Sequence, residues 1–295
     1  MIFINYTKWL KKNTKSLSGK NVAVFGSTGG IGKELCRYIL ILGGTLIMVD
    51  RNPKKAKALR EVLELEFKAP LIHSITADLE NIDSVKSALV KLKEYDVDII
   101  IHNAGAYSIP RKTCSTGYDN VFQINFLSPY YITKQLLPFL QEKKGKVIIV
   151  GSIAHNYSKS DINDIDFSTR KKPSLVYGNA KRYLMFSAML LAKENPDVHF
   201  AVTHPGITFT NITAHYPKLI FAIIKHPMKI IFMPPKMAAL NIIKGIFQKT
   251  KGFCWIGPRL FNVWGKPKIK SLKTCSENEA KQIFKTAENI MKEDF

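Results

Sequence analysis

The stretch Val22-Ala-Val-Phe-Gly26-Ser-Thr-Gly-Gly30-Ile-Gly32 decides the fold class. An apolar run rich in β-branched and aromatic residues stops at a glycine, and small residues follow. Gly30-Ile-Gly32 then opens a segment with apolar residues at helical spacing: Ile31, Leu35 and Ile39. This pattern predicts a strand, a tight turn and a helix. The glycines allow a pyrophosphate to approach the backbone closely, and the free N–H groups and positive dipole end of the helix would face that anion. A dinucleotide is the expected ligand. The spacing Gly26-x-x-x-Gly30-x-Gly32 differs from G-x-G-x-x-G, and a glycine turn alone joins many strands to helices without binding anything. The following strand, Thr45-Leu-Ile-Met-Val-Asp50, adds context because it ends in an acid where a ribose 2′-hydroxyl is expected.

Downstream, the same alternation continues. Asn52-Pro53 starts a Lys-rich helix to about Lys68, and Leu71 to Thr76 reads as a third strand followed by Ala77-Asp78-Leu79. Asp78 suits either an adenine amino group or the N-terminal end of the helix from Asp83 to Lys93. Val97 to His102 is a fourth strand, and Asn103-Ala104-Gly105 after it suits either a close cofactor approach or a plain turn. Residues 117–140 read as one long helix carrying Asn125, with distortion expected there because Pro129 removes a backbone donor. Lys146 to Gly151 is a fifth strand with Ser152 at its carboxyl end. After the polar segment Asn156 to Lys172, a helix from about Ser174 to Glu194 places Tyr177 and Lys181 on one face, one turn apart. A sixth strand, Val198 to Thr203, leads to His204-Pro205-Gly206-Ile-Thr208. Then come an apolar segment, a helix at Pro235 to Gln248, a last strand at Phe253 to Ile256, a turn at Gly257-Pro258 and an amphipathic helix at Glu277 to Lys292. Strands alternating with helices imply an α/β fold with a doubly wound parallel sheet, a Rossmann fold, in a single domain with helices on both faces. The expected organisation is a lead-in arm at 1–20, the dinucleotide-binding domain at 21–270 with a substrate lid around 207–235, and a C-terminal helix at 271–295.

A formal charge of +21 raises nucleic acid or an anionic surface as partners. However, 37 of the 44 basic residues are Lys and 7 are Arg, whereas base and phosphate readout favours the Arg fork, so no nucleic-acid partner is expected. Cys36, Cys114, Cys254 and Cys275 lie far apart with no C-x-x-C pair, which argues against a disulfide framework and a cysteine zinc site and fits a cytoplasmic setting. The histidines show no metal-ligand spacing, and no metal is expected. The apolar run from Leu219 to Met233 is broken by Lys225, His226, Pro227 and Lys229, so it falls short of the ~20 residues a spanning helix needs. It suits an apolar lid for a lipophilic substrate, a peripheral contact with an anionic bilayer, or ordinary packing.

Tyr177-Gly-Asn-Ala-Lys181, with Ser152 before it and the glycine loop at the amino end, resembles the short-chain dehydrogenase/reductase family from about Asn21 to Gly265. Ser152 and Tyr177 lie 25 residues apart, an interval that looks like the branch of retinol and other lipid-alcohol dehydrogenases, with an Asp-containing insert such as Asn163-Asp-Ile-Asp-Phe167. The Trp255-Ile-Gly-Pro258 and Trp264-Gly-Lys-Pro267 stretches look like that branch too, while His102 departs from the family's more usual Asn. The resemblance implies an NAD(P)-dependent oxidoreductase interconverting an alcohol and a carbonyl on an apolar small molecule, working as a homo-oligomer. Its catalytic residues would be Tyr177, Ser152, Lys181 and Asn125. The cofactor would meet Gly26, Ser27, Thr28, Gly30, Ile31, Gly32, Asp50, Arg51, Asp78, Leu79, Asn103, Ala104, Gly105, Tyr177, Lys181, Pro205, Gly206 and Thr208.

The chemistry is consistent with this. A tyrosine of pKa ~10 is too weak a base near neutrality, and bringing it to about 7 takes about 4 kcal/mol of differential stabilisation, which Lys181 and an oxidised nicotinamide ring could provide. Ser152 would hold the substrate oxygen. The resemblance further implies that Lys181 binds the nicotinamide ribose and that Asn125 holds a water linking Lys181 to solvent. Asp50 favours NAD by repelling a 2′-phosphate, although Arg51 could bind that phosphate. Two other readings use the same features: a dinucleotide-binding regulatory or scaffold protein without turnover, and a sugar-nucleotide epimerase, whose glycine spacing and carboxyl domain fit less well.

Overall fold

The structure is a computed structural model that describes residues 5–208, 232–248, 253–272, 274 and 276–293. Most of the expected lid, residues 209–231, lies outside the described residues.

Apolar β-branched runs form strands β1 (Asn21–Phe25), β2 (Thr45–Asp50), β3 (Ile72–Thr76), β4 (Ile99–His102), β5 (Lys146–Val150), β6 (His199–Thr203) and β7 (Cys254–Leu260), followed by β8 (Trp264–Lys270). Between them run α2 (Gly30–Ile41), α3 (Pro53–Glu66), α4 (Ile82–Glu94), α5 (Asn120–Phe122), α6 (Ser128–Glu142), α7 (Pro173–Glu194) and α8 (Pro235–Phe247). Helices α1 (Tyr6–Asn13) and α9 (Glu277–Glu293) stand at the two ends. Asn52 and Asn81 cap α3 and α4 by accepting backbone N–H bonds, which is why those helices start where they do.

The sheet order is β3-β2-β1-β4-β5-β6-β7-β8, parallel except for the last pair. Period-two alternation sorts the strand residues into two cores. Ala23 and Phe25 face the layer holding α4, α6, α7 and α9, whereas Val22 and Val24 face α1, α2, α3 and α8. Strand order reverses between β1 and β4, so the crevice at the carboxyl ends of these strands is where a ligand is expected.

The distortion expected near Asn125 takes a definite form. Residues Gln123–Leu127 make a π turn between α5 and α6, with the Ser128 N–H donating to the Gln123 carbonyl. Pro129 has no N–H to give the Asn125 carbonyl, so the α-helical ladder cannot continue there.

One expectation needs correction. Gly257-Pro258 is not a turn: β7 runs through it to Leu260 and pairs antiparallel with β8, an element the sequence reading missed. Proline cannot donate to a ladder, and Pro258 stands opposite Pro267 in this outermost pair, where the Pro258 carbonyl takes the Lys270 ammonium as its donor. The chain reverses instead at Phe261-Asn262, both with left-handed φ (47° and 60°). Within the expected lead-in arm, the described residues 5–20 include a packed helix. Asn5 caps α1, whose Leu10 is buried and whose Tyr6 packs beside Met233 and Met237 at the start of α8.

Candidate active site

The glycine loop is shaped by contacts that leave no room for side chains. Gly26 has φ +79° and its α-carbon faces Ala104, while a Cβ on Gly32 would lie 2.2 Å from the Gly26 carbonyl oxygen. The loop is then fastened from two sides. The Asn103 side-chain amide donates to the Gly26 carbonyl at 2.9 Å. The Asp50 carboxylate accepts from the Ser27 hydroxyl, from the Thr28 N–H at 3.0 Å and from the Thr28 hydroxyl at 2.8 Å.

Most of the residues singled out from the sequence come together around one cavity of about 610 Å³. Gly26, Thr28, Gly30, Ile31, Asp50, Arg51, Asp78 and Leu79 line one part, with Asn103, Ala104 and Gly105 beside them. Ser152, Tyr177 and Lys181 line another, and Pro205, Gly206 and Thr208 complete the wall. Ser27 and Gly32 are absent from the lining; Ser27 is fully buried and bonded to Asp50, and Gly32 supports the Gly26 carbonyl from below. Asn125 lies behind Gly105, whose Cβ would sit 2.8 Å from Asn125 Oδ1 and 3.5 Å from Lys181 Nζ. The Asn125 side chain accepts from the Ala106 N–H and donates to the Ala106 and Val121 carbonyls, so it fastens the turn that follows β4 to the π turn. A bare backbone cradle opening onto a helix N-terminus at one side of a cavity fits the diphosphate of a dinucleotide. No group of metal-ligating side chains occurs among the described residues.

Asp50 lines the cavity and also holds the loop: it is buried, 4% exposed, and its oxygens accept from Ser27 and Thr28. Parallel pairing of Asp50's neighbour Val49 with Phe25 brings the carboxylate under the loop that follows β1. Arg51 is two-thirds exposed and 3.8 Å from the Glu80 carboxylate, which also pairs with Lys112. Asp78 accepts the Glu80 N–H while its own N–H donates to Ser84 Oγ; it therefore organises the entry to α4 and also lines the cavity.

At the reactive side, Lys181 is 2% exposed and its ammonium donates to the Val150 carbonyl at 3.0 Å. It lies 5.7 Å from the centre of the Tyr177 ring. Burial lowers its pKa to about 8. Tyr177 is not made acidic by its surroundings: burial pushes it up to about 12, opposed by a hydrogen bond with Ser152 and assisted by Tyr107. The expected lowering by Lys181 is not among the influences on the phenol; desolvation of the phenolate dominates, and only Ser152 opposes it. His102, behind the site, is held down to about 3 by burial and by the Lys181 charge, so it stays neutral and meets the Thr133 hydroxyl at 2.9 Å.

Several site residues escaped the sequence reading. Tyr107 stands edge-on to Tyr177 with ring centres 5.4 Å apart, and Tyr157, Ser174 and His204 also line the cavity. Only Tyr107 carried a signal, its position two residues beyond the Asn-Ala-Gly turn. Behind Ser152, its carbonyl meets His155 Nδ1, and His155 Nε2 meets the Thr274 hydroxyl. Arg182, next to Lys181, donates to both Glu279 oxygens at 2.6 Å and to the carbonyls of His155 and Thr274, which ties α9 to the catalytic side of the sheet.

The comparisons with known proteins agree with this geometry. A family model described as short chain dehydrogenase matches residues 20–218. Human polyprenol dehydrogenase is 26% identical over 203 residues, 65% of this chain and 62% of that one. Human retinol dehydrogenase 13 is 27% identical over 206 residues, 68% of this chain and 62% of that one. The aligned part therefore spans less than two thirds of either human relative. A crystal structure of a Mycobacterium paratuberculosis protein superposes with a TM-score of 0.77 at 21% identity, over 95% of this chain and 96% of that one, which shows the shared fold. With the glycine cradle, the ordered Ser152, Tyr177 and Lys181, and the matched family model, the chain belongs to the short-chain dehydrogenase family of Rossmann-fold oxidoreductases.

Proposed function

We propose that the chain interconverts an alcohol and a carbonyl on an apolar small molecule, with NAD preferred over NADP. The observation that carries this reading is one cavity lined by the glycine loop and by Ser152, Tyr177 and Lys181. When bound, a nicotinamide dinucleotide supplies the hydride donor or acceptor for the substrate carbon. The glycine loop would hold its diphosphate, and the residues around Asp50, Arg51 and Asp78 its adenosine end. The chain's own residues handle the substrate oxygen. Ser152 Oγ donates to it and holds it beside Tyr177 Oη, and Tyr177 passes a proton to it in the reducing direction or takes one in the oxidising direction. With its pKa pushed up to about 12 by burial, Tyr177 carries its proton at neutral pH before a dinucleotide binds and is poised to act as the acid in the reducing direction. Lys181 places a positive charge beside that phenol, and Asn125 keeps Gly105 and Ala106 in register beneath it.

The buried negative charge of Asp50 at the adenosine end opposes a 2′-phosphate, which supports NAD; Arg51 and Lys55 on the same wall pull the other way. Apolar residues Tyr107, Ile124, Tyr157 and Ile207 in the lining support an apolar substrate, as do the relatives named for polyprenol and retinol. The test is a titration with NADH and NADPH followed by turnover of a panel of lipophilic alcohols and ketones. Tyr177→Phe should lower turnover by about 10²–10⁴-fold while NADH still binds. Unchanged turnover in that variant would refute the mechanism. A chain that binds NADH and turns over nothing in the panel would point to the regulatory reading.

A further inference from the structure

The turn joining β7 to β8 is built against local preference. The Leu260 carbonyl accepts the Val263 N–H at 2.8 Å, and the two residues between, Phe261 and Asn262, both adopt left-handed φ. Such a turn favours Asn-Gly, and a bulky aromatic at its first central position is strained. The strain is held in place. Lys270 Nζ donates to Asn262 Oδ1 at 2.6 Å and to the Pro258 carbonyl at 2.7 Å, so the tip is presented rigidly. What it presents is apolar: Phe261 is 94% exposed and its neighbour Leu260 48%.

The tip stands at the rim of the cavity. The Val263 carbonyl accepts the Ile207 N–H at 3.3 Å, and Gly206 packs so closely that a Cβ there would lie 2.6 Å from the same carbonyl. Exposed Arg259, Lys266 and Lys268 flank the tip along the hairpin. Their charge is not balanced nearby in the chain. From Val198 to Ser276 the sequence has 12 Lys and Arg residues and no Asp or Glu, so more than half of the net +21 falls in this part of the chain. Lysines on an exposed edge strand also discourage edge-to-edge pairing, but that role does not account for a strained, exposed phenylalanine at the tip.

We propose that the Arg259–Val263 tip is a docking edge for an anionic lipid bilayer. Phe261 and Leu260 enter the headgroup layer, Arg259, Lys266 and Lys268 meet lipid phosphates, and the cavity mouth at Ile207 faces the membrane from which an apolar substrate partitions. Exposed aromatic and aliphatic side chains combined with a basic surface provide the two contributions that interfacial binding needs. The inference deepens the reading of an apolar substrate, but it is tested without substrate, so its failure leaves that reading standing.

The experiment is flotation of the full chain with phosphatidylcholine vesicles, with and without phosphatidylserine, at low and high salt. Binding is expected only to the phosphatidylserine vesicles and should weaken with salt. Phe261→Asp and the pair Lys266→Glu with Lys268→Glu should each weaken it at least about tenfold. Leu65→Asp, at an 89% exposed position on α3, should leave it unchanged, and NADH binding by every variant checks folding. The proposal is overturned if the unsubstituted chain ignores phosphatidylserine, or if Phe261→Asp binds vesicles as tightly as the parent. It is equally overturned if Phe261→Asp instead splits an oligomer in sedimentation, which would assign the tip to a second copy of the chain.

Discussion

Replacing Lys181 with Met should remove activity and, at neutral pH, make the protein more stable. Lys181 is 2% exposed and holds its proton only up to about pH 8 in the folded chain, against about 10.5 when unfolded. Below pH 8 both states are protonated, and the fold carries the full cost of burying the ammonium, about 3 kcal/mol from that difference in pKa. Between pH 8 and 10.5 the unfolded state binds more protons, so the parent gains stability as pH rises, and above that window the cost is gone. Methionine has a similar reach and no charge, but it leaves the Val150 carbonyl without the donor it meets at 3.0 Å, a loss of about 1–3 kcal/mol. The net expectation is a variant up to about 2 kcal/mol more stable than the parent at pH 7, with that advantage shrinking by about 2 kcal/mol by pH 9.5. His102, at about 3, and Tyr177, at about 12, titrate outside this window, so the change is assigned to Lys181. Urea unfolding of both proteins at the two pH values measures it. A difference in unfolding free energy that is the same at pH 7 and pH 9.5 would refute the reasoning.

Gly32→Ala should abolish dinucleotide binding while leaving the far-UV circular dichroism unchanged, because its methyl would lie 2.2 Å from the Gly26 carbonyl oxygen and force the loop to move; NADH fluorescence titration checks it. Glu279→Gln should destabilise the chain by about 3–5 kcal/mol in denaturant, since it strips the charge partner from Arg182, whose side chain is 5% exposed. Adding Arg182→Met to that variant should recover part of the loss, and a double variant that is worse than the single one by the full cost of a second deletion would count against the pairing.

The parts of the fold legible in the sequence were those written in local chemistry. The β1 glycine turn, the strands of β-branched residues and the helix carrying Tyr177 and Lys181 all declare themselves by period and residue type, and Pro129 marked the π turn. What stayed hidden depends on partners distant in sequence. β8 carries Gly265, Pro267 and alternating lysines, and it becomes a strand by pairing antiparallel with β7, with Lys270 reaching back to the Asn262 turn. Glu279 looked like one more charge on an amphipathic helix until Arg182, 97 residues earlier, met it. The same limit applies to Asp50. Its position at the end of β2 was readable, but its commitment to Ser27 and Thr28 follows from the register between β1 and β2.

Asp50, Asn103, Asn125 and Lys181 share a feature that changes how substitutions at the site must be interpreted. Each polar side chain bonds the chain itself: Asp50 the Thr28 N–H, Asn103 the Gly26 carbonyl, Asn125 both backbone groups of Ala106, Lys181 the Val150 carbonyl. These bonds close the loops after β1, β4 and β5, the three strand ends that surround the cavity. A side chain in that position serves two ends at once, since the groups that would meet cofactor and substrate also hold the backbone that shapes the site. Removing one therefore lowers activity whether or not it takes part in the chemistry. Loss of turnover at Asp50, Asn103 or Asn125 cannot separate the two roles, and Ser152 shares the difficulty because its hydroxyl also accepts the Ala154 N–H, whereas Tyr177 can be probed at the hydroxyl alone, and Lys181 through the pH dependence of stability. The assignment of chemistry thus rests first on the phenol, and the surrounding serine, amides and carboxylate are the frame that keeps it in register.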